Sequence, residues 1–366
     1  MTNLTVQPGI MEITPYIGGG SDVDGVNQII KLSSNESALG PSPKACAALM
    51  NLKHMMHRYP DGDCTNLRHA ISDVHGIDVD GIVCGSGSDE LISLICQAYA
   101  GPGDEVLYSE HGFLMYPISA RAVGASPVKA PESNLTANVD ALLGAVTEKT
   151  RLLFLANPNN PTGTYISSAE MTRLRAGLPN HVLLIIDAAY SEYVDHVDYD
   201  NGINLVKNND NVVMTRTFSK IYGLSGMRLG WAYCPKPVID VLHRVRGPFN
   251  VNSMAQTAGI AAVRDEAFTK QVCNHNKIWL PWTSTRLREL GLSVTDSIGN
   301  FILCGFDNIE GKNAETADLF LRKRGIIVRR MTGYGLPNYL RITIGTEVEM
   351  VTFIETLDQF LGNKKG

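Results

Sequence analysis

The chain has no long apolar run, no paired-cysteine motif and no concentration of positive charge, and each lack closes off a class of function. No stretch approaches the roughly 20 apolar residues that a membrane-spanning helix needs, so no such helix is expected. The opening Met1-Thr-Asn-Leu-Thr5 lacks the basic and apolar regions of a secretory signal. Seven cysteines, at 46, 64, 84, 96, 234, 273 and 304, are odd in number, dispersed and free of any C-x-x-C spacing. They point to reduced thiols in a cytoplasmic compartment and away from a zinc site. The H-E-x-x-H pattern is also missing; His54 and His57 make only an H-x-x-H, expected on an exposed or half-buried helix. No metal is expected. A net charge of −5 gives no electrostatic reason to bind nucleic acid. The densest basic cluster, Arg322-Lys-Arg324 followed by Arg329-Arg330, is interrupted by an apolar run, and its first three members suit a solvated helix end.

What is present is a chain of 366 residues, enough for two cores, with 44% hydrophobic and 19% charged residues. From about residue 80, short apolar segments alternate with longer amphipathic ones. Ile82–Cys84, Glu105–Tyr108, Arg151–Leu155, Val182–Ile186, Asn211–Thr215 and Leu229–Tyr233 read as strands, with helices over 88–100, 113–124, 138–146 and 168–177. Near-continuous apolar strands suit a mostly parallel sheet covered on both faces. After about residue 280 the pattern becomes a smaller α+β unit, with strands at Leu292–Val294, Asn300–Cys304, Ile326–Arg329 and Tyr339–Ile344 and helices near 313–324 and 347–361. Lys277–Leu290 reads as one helix bridging the two. The expected plan is an α/β protein: an N-terminal arm over residues 1–40, a large domain over 41–280 and a small domain over 281–366.

Polar residues gather where those strands end, the side on which open α/β sheets bind ligands. Gly85-Ser-Gly-Ser-Asp-Glu90 runs from a strand into a helix and could cradle an anion on backbone N–H groups, or Ser88 could serve only as an N-cap. It lacks the third glycine of a dinucleotide fingerprint, which counts against a nicotinamide-dependent dehydrogenase. Asn157-Pro-Asn-Asn-Pro-Thr-Gly163 is a rigid turn able to hold an amide in one orientation, or a plain tight turn. Asp187 closes an apolar strand, so its carboxylate needs a partner; a protonated ring nitrogen and a helix cap serve equally well. Lys220 follows another strand within Thr215-Arg-Thr-Phe-Ser-Lys220, where desolvation and nearby cations would make its amine nucleophilic and able to form a Schiff base. Arg228 could offer a fork to phosphate.

Taken together these segments resemble the class I/II aminotransferases of pyridoxal-phosphate fold type I, and among them the histidinol-phosphate aminotransferases. The resemblance also draws on Thr14-Pro-Tyr16, Lys31–Pro43, Arg58-Tyr-Pro-Asp-Gly62, Phe113-Leu-Met-Tyr116, Gly325–Arg329 and Leu340–Thr346, so it covers nearly the whole chain. It departs where Asp187-Ala-Ala-Tyr190 replaces the usual Asp-Glu-Ala-Tyr and where Asn35-Glu-Ser-Ala38 replaces Asn-Glu-Asn-Pro or Asn-Glu-Ser-Pro.

The resemblance implies pyridoxal 5′-phosphate as cofactor, bound as a Schiff base to Lys220. By motif, Asp187 pairs with the ring nitrogen, Asn160 and Tyr190 bond the phenolic oxygen, and Phe113 stacks on the ring. Ser86, Gly87, Ser88, Ser219 and Arg228 surround the phosphate, joined by Tyr59 from a second subunit of a homodimer. Arg329, Arg341 and Tyr16 are the substrate-binding candidates, and Lys220, Asp187 and Tyr190 the catalytic ones. The implied reaction converts L-histidinol phosphate and 2-oxoglutarate to imidazole-acetol phosphate and L-glutamate, a step of histidine biosynthesis. An aromatic amino-acid aminotransferase, alone or as a second activity, is the near alternative, and a threonine-phosphate decarboxylase is a more distant one. A non-catalytic regulator would need an appended DNA-binding domain, for which this length leaves no room.

Overall fold

The computed structural model describes residues 4–23, 25, 28–52, 54–306 and 311–362; the opening Met1-Thr-Asn3 lies outside them. In chain order the strands begin with β1 (Ile30–Lys31), β2 (Ile82–Gly85), β3 (Glu105–Ser109) and β4 (Ser126–Ala130), then the small hairpin β5 (Glu132–Ser133) and β6 (Thr136–Ala137). They continue with β7 (Thr150–Ala156), β8 (Leu183–Asp187), β9 (Val212–Thr217) and β10 (Gly230–Tyr233). Seven of these form one sheet in the order β2-β10-β9-β8-β7-β3-β4. Pairing is parallel from β9 through β8, β7 and β3 to β4, and antiparallel on both sides of β10.

The apolar runs are continuous because both faces are buried. Leu153, Leu155, Leu184 and Ile186 pack into one core with the helices Thr65–His75, Ser168–Gly177 and Ser253–Val263. Their neighbours Leu152, Phe154, Leu183 and Ile185 pack into a second core with Ser88–Tyr99, Met115–Ala122 and Lys236–Val245. Alternate side chains thus meet different helix layers, as the two-residue period of a strand requires.

The C-terminal part holds a four-stranded antiparallel sheet, β11 (Ser293–Val294), β12 (Phe301–Gly305), β15 (Leu336–Thr343) and β14 (Arg329–Met331), in that spatial order. Its core joins Ile302, Leu340 and Ile342 to Leu321 and Phe353 of the helices Ala314–Arg322 and Glu347–Leu361. The N-terminal segment is sewn into this unit: β1 pairs in parallel with β13 (Ile326–Ile327), and Leu32 lies in the same core.

Several expectations change in detail. The bridging helix runs from Glu266 to Glu289 and contains Pro281, with Val272, Asn276, Thr283 and Leu287 on its buried side. The segment expected as one strand over Ile326–Arg329 divides, because β13 pairs with β1 while β14, from Arg329, pairs with β15. Strand β4 is an addition to the expected set: it is an edge strand, half-exposed and carrying Pro127, so it has no apolar signature. His54 and His57 lie in exposed turns and not on a helix. The helix Pro43–Leu49 passes into a short 3-10 turn, Met50–Leu52, just before them.

One glycine controls how β10 meets the first turn of Ser88–Tyr99. A Cβ at Gly230 would lie 2.4 Å from the Ser88 nitrogen and 2.6 Å from the Gly87 carbonyl carbon. Gly230→Ala should therefore destabilise the fold by about 1–3 kcal/mol through overpacking, read as a lower urea midpoint with an unchanged slope.

Candidate active site

The parallel strands all present their carboxyl ends at one edge of the large sheet, and antiparallel β10 presents its amino end there. Register makes this explicit: Asp187 is level with Ala156 and Thr215, while Gly230 is level with both Gly85 and Thr217. Arg228, two residues before Gly230, is thereby delivered to the edge that Lys220 reaches from β9. A cavity of about 340 Å³ opens at this edge and is lined by Asp187, Tyr190, Lys220, Arg228, Arg329 and Arg341, among others. Ser88, Phe113, Asn160, Ser219 and Tyr16 line it too.

Asp187 is buried at the floor. Its Oδ2 accepts a hydrogen bond from the Tyr116 hydroxyl at 2.8 Å, while Oδ1 is buried without a hydrogen-bond partner. Burial pushes its carboxyl above the usual range; the Tyr116 bond, the neighbouring Thr215 hydroxyl and Ala189 N–H, and the Lys220 charge pull it back. The helix-cap alternative fails, because the 3-10 turn Ser191–Tyr193 that follows is capped by Tyr190 and uses no side-chain bond.

Lys220 donates to the Ser34 carbonyl at 3.2 Å and stands 5.8 Å from the centre of the Tyr190 ring. Burial, aided by the positive charge of Arg341, brings its amine down to about 7. A good share of it is thus neutral and nucleophilic at neutral pH. The Tyr190 hydroxyl accepts from Asn35 Nδ2 at 2.9 Å, and burial holds that phenol well above its ordinary value.

Beside Lys220 the helix Ser88–Tyr99 begins. Gly87 is its N-cap at φ 93° with no side-chain capping bond, so Ser88 is not the cap and the first N–H groups are left for a ligand. Arg228 crosses this terminus, its Nη2 at 2.7 Å from Asp89 Oδ1 and its Nη1 at 3.0 Å from the Ser225 carbonyl and 3.5 Å from Ser219 Oγ. A Cβ on Gly87 would come within 2.3 Å of Arg228 Nη2, so only glycine lets the guanidinium lie there. Ser86 and Gly87 sit behind the cavity wall, and their N–H groups are already taken by Glu90 Oε2 and the Gly85 carbonyl.

Two arginines enter from the small domain. Arg329 and Arg341 are direct cross-strand partners on β14 and β15, an arrangement in which like charges repel. Arg341 is buried; it donates to Asn160 Oδ1 at 2.5 Å and to the Ser33 carbonyl at 2.8 Å, and its Nε has no partner. Arg329 reaches the Ile17 carbonyl at 2.8 Å and the Tyr16 hydroxyl at 3.4 Å. Among the described residues neither forms an ion pair, whereas Arg330, on the opposite face, pairs with Glu315 at 2.7 Å. Tyr59 stands apart from this cavity: it is 83% exposed and stacks on Phe249 with ring centres 4.7 Å apart.

The motifs leave some contributors without a role. Tyr116 enters them only as part of Phe113-Leu-Met-Tyr116, and Ser34 and Asn35 only as part of Lys31–Pro43; their partners lie 71 to 308 residues away in sequence. Only the fold brings them together.

A model of the family "Aminotransferase class I and II" matches residues 27–357. The chain belongs to the class I and II aminotransferases. It is 59% identical to the histidinol-phosphate aminotransferase of Paramagnetospirillum magneticum, over 99% of this chain and all of that one. It is 55% identical to that of Rhodospirillum rubrum, over 98% and 97% of the two chains. Its fold superposes on the crystal structure of histidinol-phosphate aminotransferase from Sinorhizobium meliloti in complex with pyridoxal-5′-phosphate, with a TM-score of 0.85, 26% identity and 91% of each chain covered. The expected fold type, a mostly parallel sheet with a smaller second unit, is therefore the one this aminotransferase has.

The lowered amine of Lys220 makes a prediction about this aminotransferase that needs no substrate. Imine formation between Lys220 and a small aldehyde, trapped with cyanoborohydride and located by peptide mapping, should quicken as pH rises and reach half its plateau near the value of about 7. A lysine of ordinary value would begin to plateau only near pH ~10. An apparent midpoint above pH ~9 would contradict the desolvated site.

Proposed function

We propose that the chain transfers an amino group from L-histidinol phosphate to 2-oxoglutarate, yielding imidazole-acetol phosphate and L-glutamate, a step of histidine biosynthesis. The observation that carries this reading is the convergence, in one cavity, of a lysine with a suppressed charge and, among the described residues, a buried carboxylate oxygen lacking a partner and two arginines lacking ion pairs.

The residues fit pyridoxal 5′-phosphate. Asp187 Oδ1 needs a buried donor, which a protonated pyridine nitrogen supplies. The open helix terminus behind Gly87, with Arg228, Ser219 and Ser88, suits a phosphate dianion. Phe113 offers a ring face, and Asn160 and Tyr190 offer polar groups to a phenolic oxygen. Bound there as a Schiff base, the group would supply an electron sink that acidifies the donor's α C–H. The protein's share is positional and protolytic. Asp187, ionised, would keep the group's ring nitrogen protonated. Lys220, its amine in good part neutral, is placed to take the donor's α-proton on Nζ and, once protonated, to give it back, acting as base and then acid. Arg341 and Arg329 hold the anions that the two substrates carry, a carboxylate of glutamate and the phosphate of histidinol phosphate, bidentately where geometry allows.

The working unit is proposed to be a homodimer with shared sites in a reducing, cytoplasmic compartment. Met55, Met56 and the stacked pair Tyr59 and Phe249 are exposed, apolar surface that a monomer would leave in water. All seven cysteines are free thiols, which suits that compartment.

The decisive assay compares kcat/KM for histidinol phosphate with that for phenylalanine. Histidinol phosphate should lead; a tenfold lead for phenylalanine, about 1.4 kcal/mol in transition-state binding, would overturn the substrate assignment. Arg341→Ala should cost both half-reactions on the order of a hundredfold, about 2.7 kcal/mol, whereas Arg329→Ala should fall unequally on the two substrates. Lys220→Ala should retain cofactor yet lose nearly all turnover. Subunit sharing is tested by mixing Tyr59→Phe with Lys220→Ala protein, once Tyr59→Phe alone is measurably impaired. Activity should reappear in the heterodimer, and none despite verified exchange would argue for self-contained sites.

A further inference from the structure

We infer that Tyr116 is a positioning residue for the reaction: its hydroxyl claims one oxygen of Asp187 from beneath and so leaves the other oxygen, ionised and aimed, for the cofactor's ring nitrogen. The inference rests on the placement of that nitrogen at Asp187 and adds to it a residue given no role by the motifs.

The geometry is specific. Tyr116 lies on the first turn of Met115–Ala122, in the core that takes Leu183 and Ile185 from β8, and is completely buried. Its ring is parallel to Phe154 at 4.7 Å with a 9° interplanar angle, and edge-on to Phe113 at 5.8 Å and Tyr108 at 6.2 Å. Three aromatic neighbours restrict where the hydroxyl can point, and it meets Asp187 Oδ2 at 2.8 Å. The remaining oxygen, Oδ1, is buried and accepts no hydrogen bond from the described residues. A carboxylate with one oxygen tied and one free has a single orientation to offer, which is what an in-plane contact to a ring nitrogen requires.

The same bond sets the charge. A buried carboxylate drifts towards its neutral form, and a donor that bonds the ionised form opposes the drift. The titratable groups facing Asp187 are Tyr116 from its helix, Tyr190 from the turn after β8 and Lys220 from the turn after β9; Tyr334 of the small domain acts on Tyr116 and Tyr190. Arg341 and Arg228 act on Lys220 more than on Asp187. Burial and the Asp187 charge hold the Tyr116 phenol well above its ordinary value, so it always donates. Of these titratable groups only Tyr116 hydrogen-bonds the carboxylate. Without it the apoprotein's Asp187 would take up a proton at a higher pH and would have to lose that proton to receive a protonated ring.

The test is the dissociation constant of pyridoxal 5′-phosphate from wild type, Tyr116→Phe, Asp187→Asn and the double variant, followed by cofactor absorbance across a pH series from acid to mildly alkaline. Phenylalanine preserves the aromatic packing, and a melting temperature for each apoprotein reports the fold separately. Ratios of variant to wild type cancel the cofactor's own titration. For Tyr116→Phe the ratio should be small at the alkaline end and widen to about tenfold at the acid end, as for a carboxyl that takes its proton about one pH unit higher. In the Asp187→Asn background the same substitution should have no pH-dependent effect. A pH-independent ratio for Tyr116→Phe, with Asp187→Asn still strongly impaired, would mean that Tyr116 is only a core residue. Unimpaired binding and an unchanged pH profile in Asp187→Asn would instead sink the placement of the ring nitrogen itself.

Discussion

A sheet buried on both faces has no room for polar side chains except at its ends, and the site follows from that restriction. Every residue of β8 is buried, and its only charged member is the last, Asp187. The chain leaves β9 by way of Lys220 and returns to β10 by way of Arg228, so a single connection supplies both the amine and a guanidinium. That connection is held shut by Phe218, whose N–H bonds the Leu229 carbonyl and whose carbonyl accepts from Leu224. The reversal of β10 is essential here. Run parallel, it would present its carboxyl end and carry Arg228 to the far edge.

Charge within the cavity explains which group yields its proton. Lys220 shares the space with Arg228, Arg329 and Arg341 against few carboxylates, of which Asp89 is already paired with Arg228 and Glu36 with Lys31. Arginine keeps its proton under almost any burial, whereas lysine starts about two or more units lower and is a compact, heavily hydrated ion that loses much on desolvation. The crowding of cations is thus relieved at the lysine. The arginines stay charged and able to hold anions, and the amine becomes a nucleophile. One electrostatic imbalance serves both binding and chemistry.

Much of this is legible in the sequence, for identifiable reasons. Six of the seven strands of the large sheet carry unbroken apolar runs, and the expected and observed ends of each differ by no more than about two residues, the ordinary uncertainty of an element's boundary. Lys220, Asp187 and Arg228 stand out because charged residues beside such runs are costly unless a partner offsets them. Strand β4 escapes because an edge strand can alternate weakly and hold a proline. Whether Ser88 or Gly87 caps its helix escapes because both suit the position; the positive φ of Gly87 decides it. Contacts made across long sequence separations, Tyr116 to Asp187 and Arg341 to Ser33, are out of reach because no periodicity records them. Arg329 and Arg341 are recognisable as candidates, but their opposition on adjacent strands is a matter of register, which the segments alone do not express.

That opposition bears on what the site costs the fold. Like charges directly across an antiparallel pair destabilise it by a few tenths of a kcal/mol to about 1 kcal/mol, and a buried Nε without an acceptor adds to the loss. Arg228 holds a left-handed backbone at φ 55°, where only glycine is at ease. Asp187 keeps an oxygen unbonded. These local penalties all fall on residues facing one cavity, and the electrostatic and hydrogen-bond ones would be relieved by a ligand that brings a matching group: an anion between the arginines or a ring N–H at the carboxylate. The surrounding layers are apolar and closely packed, so they can carry such penalties without yielding. A cavity whose polar groups are under-satisfied and rigidly held is complementary to its ligand in advance, and binding then needs little reorganisation. The apolar core does more here than fold the chain; its rigidity is what prevents the site from relaxing into a self-satisfied arrangement that would bind nothing.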